Sequence, residues 1–429
     1  MPVSAPVYEL TESTLDNGLR VVVSPDPTAP VVAMNIWYDV GSRHEQPGRT
    51  GLAHLFEHLM FEGSAQVGKG EHFRYVNEAG GTLNATTWCD RTNYFNTVPS
   101  NHLELLCWLE ADRMWQLALT QETLDNQRAV VKNERRQRYE NQPYGTWMER
   151  MHALVYPPGH PYHHSTIGSM DDLDAASLED VAAFYAAHYR PDNAVLTIVG
   201  DVDAAEALET VGRQFRRIPR RVDPVPGVPG ASLEPLIGTE HRETVREPVP
   251  VPRVFIGYRI APFGSAEYDA TVLLAAVLGA GRGARLYRRL VVEREIAQPG
   301  EGNLMDTLPF VGGASVAVAD LVAREGVEPA ALEAAYEQVL AEVAAGQVDE
   351  DELARARAVV SADWLGQVSG LDGRADAFSQ YATLFGDPAL ANDVLPRYAE
   401  VEVADVVRVA AERLRPDNRA VLVFVPDAP

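Results

Sequence analysis

Residues 51–64, GLAHLFEHLMFEGS, hold His54, Glu57 and His58 inside an otherwise apolar run. On a helix, His54 and His58 lie one turn apart on the same face, with Glu57 beside them. Two imidazoles at that spacing suit one metal ion, and a neighbouring carboxylate can handle the protons of a water held there. The alternative is an amphipathic helix with its polar residues in solvent. Against it, Leu52, Leu55, Phe56, Leu59, Met60 and Phe61 hem the three polar groups in, so the helix is expected to be largely buried. Buried imidazoles and a buried carboxylate need partners, and a shared metal provides them. The rest of the chain must add a third ligand, a wall for a substrate and a way to exclude water.

The elements that would position these residues can be read from periodicity. Residues 19–23 (LRVVV) follow the turn signal Asp16-Asn17-Gly18, and 31–40 (VVAMNIWYDV) form a longer run of strand formers. Spacing turns helical over 51–61. A short helix is predicted at 71–79, ended by Gly80-Gly81. Residues 82–99 (TLNATTWCDRTNYFNTVP) predict strand structure, and 102–119 and 122–140 predict amphipathic helices. The second of these carries Leu124, Val130 and Val131 on one side and NERRQRYE on the other. A loop is expected at 156–164 (YPPGHPYHH), a helix at 180–188 and a buried strand at 193–199 (NAVLTIV). Prolines at 219, 224, 226, 229, 235, 248, 250 and 252 mark 219–252 as an extended, fairly stiff linker. Beyond it, strands at 254–258 and 312–319 and helices from Tyr268, at 329–345 and at 350–364 repeat the earlier order.

The repetition is also literal. Asp180-Val181 and Arg190-Pro191-Asp192-Asn193 recur as Asp405-Val406 and Arg415-Pro416-Asp417-Asn418, both displaced by 225 residues. Arg128-Ala129-Val130-Val131 recurs as Arg357-Ala358-Val359-Val360, displaced by 229. Identical segments at nearly constant displacement argue for a duplicated domain. The counterpart of the histidine helix falls on 274–283 (LAAVLGAGRG), which has neither His nor Glu. One half is therefore expected to bind metal and the other to keep only the fold.

With 429 residues, 46% of them hydrophobic, the chain is long enough for two or more packed domains. A formal net charge of −24 and a pI near 4.8 argue against nucleic acid or an anionic membrane as partner. That acidity reads as a solubility device, with attraction of a basic peptide substrate as the functional alternative. Cys89 and Cys107 are the only cysteines, so neither a disulfide framework nor a cysteine metal cluster is expected. The opening MPVSAPVYELTEST has neither a basic start nor an apolar core, and no apolar run reaches the roughly 18 residues of a spanning helix. A soluble, cytoplasmic protein is expected, with the periplasm or export as the alternative.

These motifs resemble the inverted-motif zinc peptidases, H-x-x-E-H. More narrowly, the chain resembles the pitrilysin family (M16) and its mitochondrial-processing-peptidase-like subgroup. The resemblance runs through LDNGLRVVV, the strand ending in Gly41-Ser42, GLAHLFEHLMFEGS, GGTLNATTWCDRTNYF, VVKNERRQRYENQPYG and PYHHSTIGSMDDL. In that family a glutamate 76 residues after the second histidine is the third zinc ligand, and here that position is Glu134. The resemblance implies that His54, His58 and Glu134 bind one Zn2+ per chain with a fourth position open. It implies that Glu57 takes a proton from the attacking water and passes it to the leaving amine. Asn84 and Ala85 match the family's edge-strand motif, which pairs with an extended peptide by strand addition; alone, 82–87 would read as an ordinary strand.

The fold so implied is α+β, with two homologous domains, each a mostly antiparallel sheet packed with helices. This is the LuxS/processing-peptidase-like metallohydrolase fold in a clam-shell arrangement around a chamber. The expected division is a zinc-binding peptidase domain at 1–220, the Pro-rich linker at 221–240 and a homologous domain without zinc ligands at 241–429. The implied function is a zinc endopeptidase acting on peptides or unfolded segments. The competing reading is a non-catalytic core, assembly or peptide-binding subunit.

Two departures from the family pattern stand out. Many members have a glutamate seven residues before the ligand glutamate, where this chain has Gln127. An amide there can hydrogen-bond a ligand but brings no charge. Members that act alone or as homodimers commonly carry an Arg and, seven residues on, a Tyr in the inactive half. In 290–298 (LVVEREIAQ) those places fall to Val291 and Gln298, with Arg294 and Tyr287 out of register. A heterodimer with a related subunit that supplies the Arg/Tyr pair is therefore expected, with a homodimer as runner-up. His160, His163 and His164 are read as surface residues rather than a second metal site, and Cys89 as a small buried residue.

Overall fold

The computed structural model describes residues 6–228, 233–299 and 302–427. The first five residues, and 229–232 of the proline-rich stretch, lie outside the described residues. The described chain forms two compact units. One comprises Met1–Glu134, Ser165–Pro229 and Leu365–Val394; the other comprises Arg135–His164, Gly230–Trp364 and Leu395–Pro429. The units are therefore not contiguous stretches of sequence.

The first unit holds strands β1 (Thr11–Thr14), β2 (Arg20–Pro25), β3 (Val31–Tyr38), β4 (Thr82–Thr87), β5 (Thr92–Pro99) and β6 (Ala194–Gly200). They form one sheet in the order β1-β2-β6-β3-β5-β4. Only β2 and β6 pair in parallel, and the other neighbours are antiparallel. Strand β6, AVLTIVG, is buried at every position, which is why its sequence shows no polar alternation. Helices α1 (Leu52–Leu59), α2 (Glu71–Glu78), α3 (Leu103–Trp115) and α4 (Gln121–Arg135) connect these strands. From late in the chain, helix Leu371–Phe385 packs on β3 and β6. Its Asp376 Oδ1 accepts from Trp37 Nε1 at 2.8 Å, Asn93 Nδ2 at 3.0 Å and Asn35 Nδ2 at 3.2 Å.

In the second unit, β7 (His241–Glu247), β8 (Arg253–Ile260), β9 (Met305–Leu308), β10 (Ser315–Val322) and β11 (Arg419–Pro426) form a sheet in the order β7-β11-β8-β10-β9. Its parallel pair is β7 with β11. With β1 set aside, both sheets run first-fifth-second-fourth-third and place their single parallel pair identically. Helix α5 (Trp147–Val155), from the first half of the sequence, packs on this sheet. Trp147 stacks on Phe255 with ring centroids 4.7 Å apart. A Cβ at Gly257 would lie 2.4 Å from Met151 Sδ, so α5 approaches this strand closely and a larger residue there would have to displace the Met151 side chain.

The repeated tetrapeptides do the same work in each unit. Arg128 donates from Nε to Leu173 O at 2.8 Å and from Nη2 to Ala176 O at 2.7 Å. Arg357 donates to Tyr398 O at 3.1 Å and Val401 O at 2.7 Å. Both guanidinium groups thus satisfy carbonyls at the end of a short helix. Asn193 Nδ2 ties His188 O, at 2.9 Å, to Asp39 O, and Asn418 Nδ2 ties Arg413 O to Arg259 O, each at 2.8 Å. In both units this secures the turn from a helix into a central strand.

Residues 82–99 form strand structure as expected, a hairpin of β4 and β5. Two other segments differ from expectation. Val130 is 45% exposed, although Leu124 and Val131 are buried. Leu124 and Val131 are seven residues apart and share a face, whereas Val130 is rotated about 100° away. The proline-rich stretch contains β7, an edge strand whose sequence HRETVRE is free of proline. Proline removes a ladder donor only where it stands, and here it flanks the strand. No described helix is long and apolar enough to cross a membrane.

Candidate metal centre

Helix α1 starts from Gly51, whose φ of +92° favours glycine. The Glu45 carboxylate accepts from Gly51 N at 2.9 Å and from Ala53 N at 2.7 Å, satisfying two of the free donors at the helix start. Leu52, Ala53, Leu55, Phe56 and Leu59 are buried. The Phe56 ring packs on Phe184, Tyr185 and Tyr189 at 5.4, 6.1 and 5.0 Å. This aromatic packing fixes the rotation of α1 and leaves His54, Glu57 and His58 on the side that meets α4 and β4.

Glu134, near the end of α4, meets the two histidines. Its Oε2 lies 3.3 Å from His58 Nε2 and 3.7 Å from His54 Nε2. One ligand atom from each of the three residues lies within 4.8 Å of the others. Donors about 2.0–2.1 Å from a common centre at tetrahedral angles stand roughly 3.3 Å apart, so these spacings fit a single small ion. Two imidazole nitrogens and one carboxylate oxygen form a donor set that suits zinc and leaves one position free.

Glu57 lies beside this group without belonging to it. Thr87, on β4, donates its hydroxyl to Glu57 Oε2 at 2.6 Å. Burial pushes the Glu57 carboxyl up from its ordinary value; Thr87, His58 and Arg91 oppose that shift, and Glu134 adds to it. Arg91 is fastened by its Nη1 to Thr86 O at 2.8 Å and to Asn93 Oδ1 at 3.2 Å.

Asn84 and Ala85 lie on β4, paired to Phe95 and Tyr94 of β5. Strand β4 ends the sheet, so among the described residues its other edge pairs with no strand. Both residues line a cleft of about 280 Å³ together with Glu57 and His58. The cleft therefore joins an open strand edge to the metal-ligand group.

Gln127 lines the same cleft, but the hydrogen bond it makes runs elsewhere than expected. Its Nε2 donates to Glu62 Oε1 at 2.8 Å rather than supporting the glutamate one helical stretch further on. Sequence reasoning missed Glu62 and Thr87. Glu62 follows His54 and His58 at the same four-residue interval, and Thr87 follows Ala85 at the two-residue strand interval, so periodicity carried both signals.

The other candidates stand apart. Val291 is buried in the core of the second unit, and Gln298 Nε2 donates to Ala323 O at 2.8 Å. His160 is buried, against the expectation of a surface residue; its ring stacks on Tyr156 at 5.0 Å beside Tyr162 and Phe310. Cys89 is buried, with its thiol pushed up to about 12 by burial, as befits an inert small residue.

Residues 20–161 match the insulinase family, peptidase family M16, and residues 175–360 match the peptidase M16 inactive domain. The chain is 29% identical over 424 residues to the zinc protease PqqE of Helicobacter pylori, covering 96% of this chain and 91% of that one. It is 25% identical over 269 residues to the mitochondrial-processing peptidase subunit beta of Lentinula edodes, covering 62% of this chain and 57% of that one. The crystal structure of a protease from Helicobacter pylori matches with a TM-score of 0.90 at 27% identity, covering 98% of this chain and 100% of that chain.

Proposed function

The chain belongs to peptidase family M16, and from that premise we propose that it is a zinc-dependent endopeptidase. The observation that carries this reading is the convergence of His54, His58 and Glu134 within 4.8 Å, beside Glu57 and an open strand edge. His54, His58 and Glu134 would hold the zinc, which when bound supplies Lewis-acid chemistry to a carbonyl and a water. Glu57 carries the proton. Thr87 occupies its Oε2, which leaves Oε1 to take a proton from the attacking water. The same carboxyl returns that proton to the amide nitrogen as the C–N bond breaks, so Glu57 ends as it began. The open edge of β4 at Asn84 and Ala85 pairs with a peptide backbone, which requires an extended substrate segment.

A non-catalytic assembly or peptide-binding role is the competing reading, because the second half of the chain matches an inactive-type domain. Metal content and peptide hydrolysis of wild type and Glu57→Gln separate the two. A peptidase keeps its zinc and loses turnover in the variant. A wild type that holds full zinc yet stays inert even with a related partner chain present overturns the reading.

We also propose that a related second chain brings the Arg/Tyr pair to the substrate. Val291 is packed into the core and Gln298 is engaged with a backbone carbonyl, which supports that division of labour. The processing-peptidase relative is itself named as a subunit. Full activity of the purified chain alone would sink this proposal, and a homodimer in solution would then take its place.

A further inference from the structure

The cleft beside Glu57 contains a second acid whose setting calls for a cation. Glu62 is 9% exposed, and its Oε1 is taken by the uncharged Gln127 amide. Its Oε2 is buried and makes no hydrogen bond of acceptable geometry. The charge that faces this oxygen is the Lys69 ammonium, 2.6 Å away on a side chain 59% exposed between Gly68 and Gly70. A buried carboxylate needs a counter-charge, and here an exposed, rotatable side chain supplies it from solvent. Phe61 and Phe73 line the same cleft and offer apolar walls to the methylene stem of a long basic side chain. The formal net charge of −24 also raises the local concentration of basic peptides.

We propose that Glu62 makes this cleft select a Lys or Arg side chain next to the scissile bond, with the substrate's cation exchanging for Lys69. The proposal rests on the peptidase reading above and gives it a substrate class. No bond is made or broken in the exchange.

The test uses quenched fluorescent peptides in which Lys, Arg, Leu or Glu takes each place around the cleaved bond, with product masses locating that bond. The readout is the ratio of kcat/KM for the Lys and Leu peptides within one enzyme preparation. Wild type should favour Lys and Arg at one fixed position. Glu62→Gln should lower the ratio roughly tenfold, the worth of one charge-assisted contact. Lys69→Gln, an exposed change that leaves the fold alone, should raise it. A ratio unmoved in both variants, or a wild type that prefers Leu at every position, overturns the assignment. Binding of the same peptides to zinc-loaded Glu57→Gln, with and without Glu62→Gln, reads the preference without turnover. Hydrolysis absent even with a related partner chain present, with the Lys preference intact in binding, counts against the peptidase reading alone. Hydrolysis without any Lys preference counts against Glu62 alone.

Discussion

Thr87→Val removes one hydroxyl from β4 and keeps the side-chain shape. The lost contact is the 2.6 Å hydrogen bond to Glu57 Oε2, short enough to be charge-assisted. A hydrogen bond to a charged group is worth about 1.5–3 kcal/mol net, which corresponds to roughly 10- to 150-fold in rate if the transition state uses it fully. On the proposed mechanism Thr87 holds the proton carrier rather than the metal ligands, so the loss should fall on kcat, with KM and zinc content little changed. The backbone pairing of Thr87 with Thr92 is untouched by the change, so the strand edge survives. Steady-state hydrolysis of a quenched peptide, with zinc measured on the same samples, checks this. Thr87→Ser restores the donor and should recover most of the rate. A valine variant within twofold of wild type, or a serine variant as slow as valine, would refute the role of Thr87 in positioning Glu57.

Glu134→Gln and His58→Ala should each lower the zinc retained through gel filtration at least about tenfold, whereas Glu57→Gln should retain it and lose roughly 100- to 10,000-fold in turnover. Arg128→Met and Arg357→Met each strand two helix-end carbonyls. Each should cost about 2–4 kcal/mol, read from urea midpoints, and a large cost in only one unit would contradict their equivalence. Acid should destabilise the first unit through His44 and His188, whose rings lie 5.4 Å apart. Burial lowers His44 from 6.5 to about 3, with Arg43 and His188 adding to the shift, and lowers His188 to about 4, with Arg190 adding. Both folded-state values lie below the unfolded one, so the unfolded chain binds protons first and stability is lost as pH falls below about 6.5. For His188 the loss between pH 7 and pH 5 is about 2 kcal/mol, and His188→Asn should flatten that part of the stability-pH curve.

The sequence by itself determined the parts of this protein that local spacing controls. The four-residue interval of His54 and His58, with Glu57 between them, follows from helix geometry alone and needs no knowledge of the tertiary fold. The repeated Arg-Pro-Asp-Asn and Arg-Ala-Val-Val segments announced the duplication, and apart from β1 the two sheets carry it out strand for strand. Glu134 was reached through family spacing, since nothing in its immediate surroundings marks it as a ligand.

What only the tertiary structure decided concerns partners far apart in sequence. Helix Leu371–Phe385 belongs with the first sheet and α5 with the second, although each comes from the other half of the chain. Sequence leaves Gln127 able to hydrogen-bond a metal ligand, but its amide meets Glu62, 65 residues away. The hydroxyl of Thr87 fixes Glu57 from a neighbouring strand, 30 residues on. Periodicity tells which face a side chain leaves, but the group it meets depends on how helices and sheet pack. Packing is also what distinguishes a buried carboxylate with an exposed counter-charge, such as Glu62, from an ordinary surface glutamate.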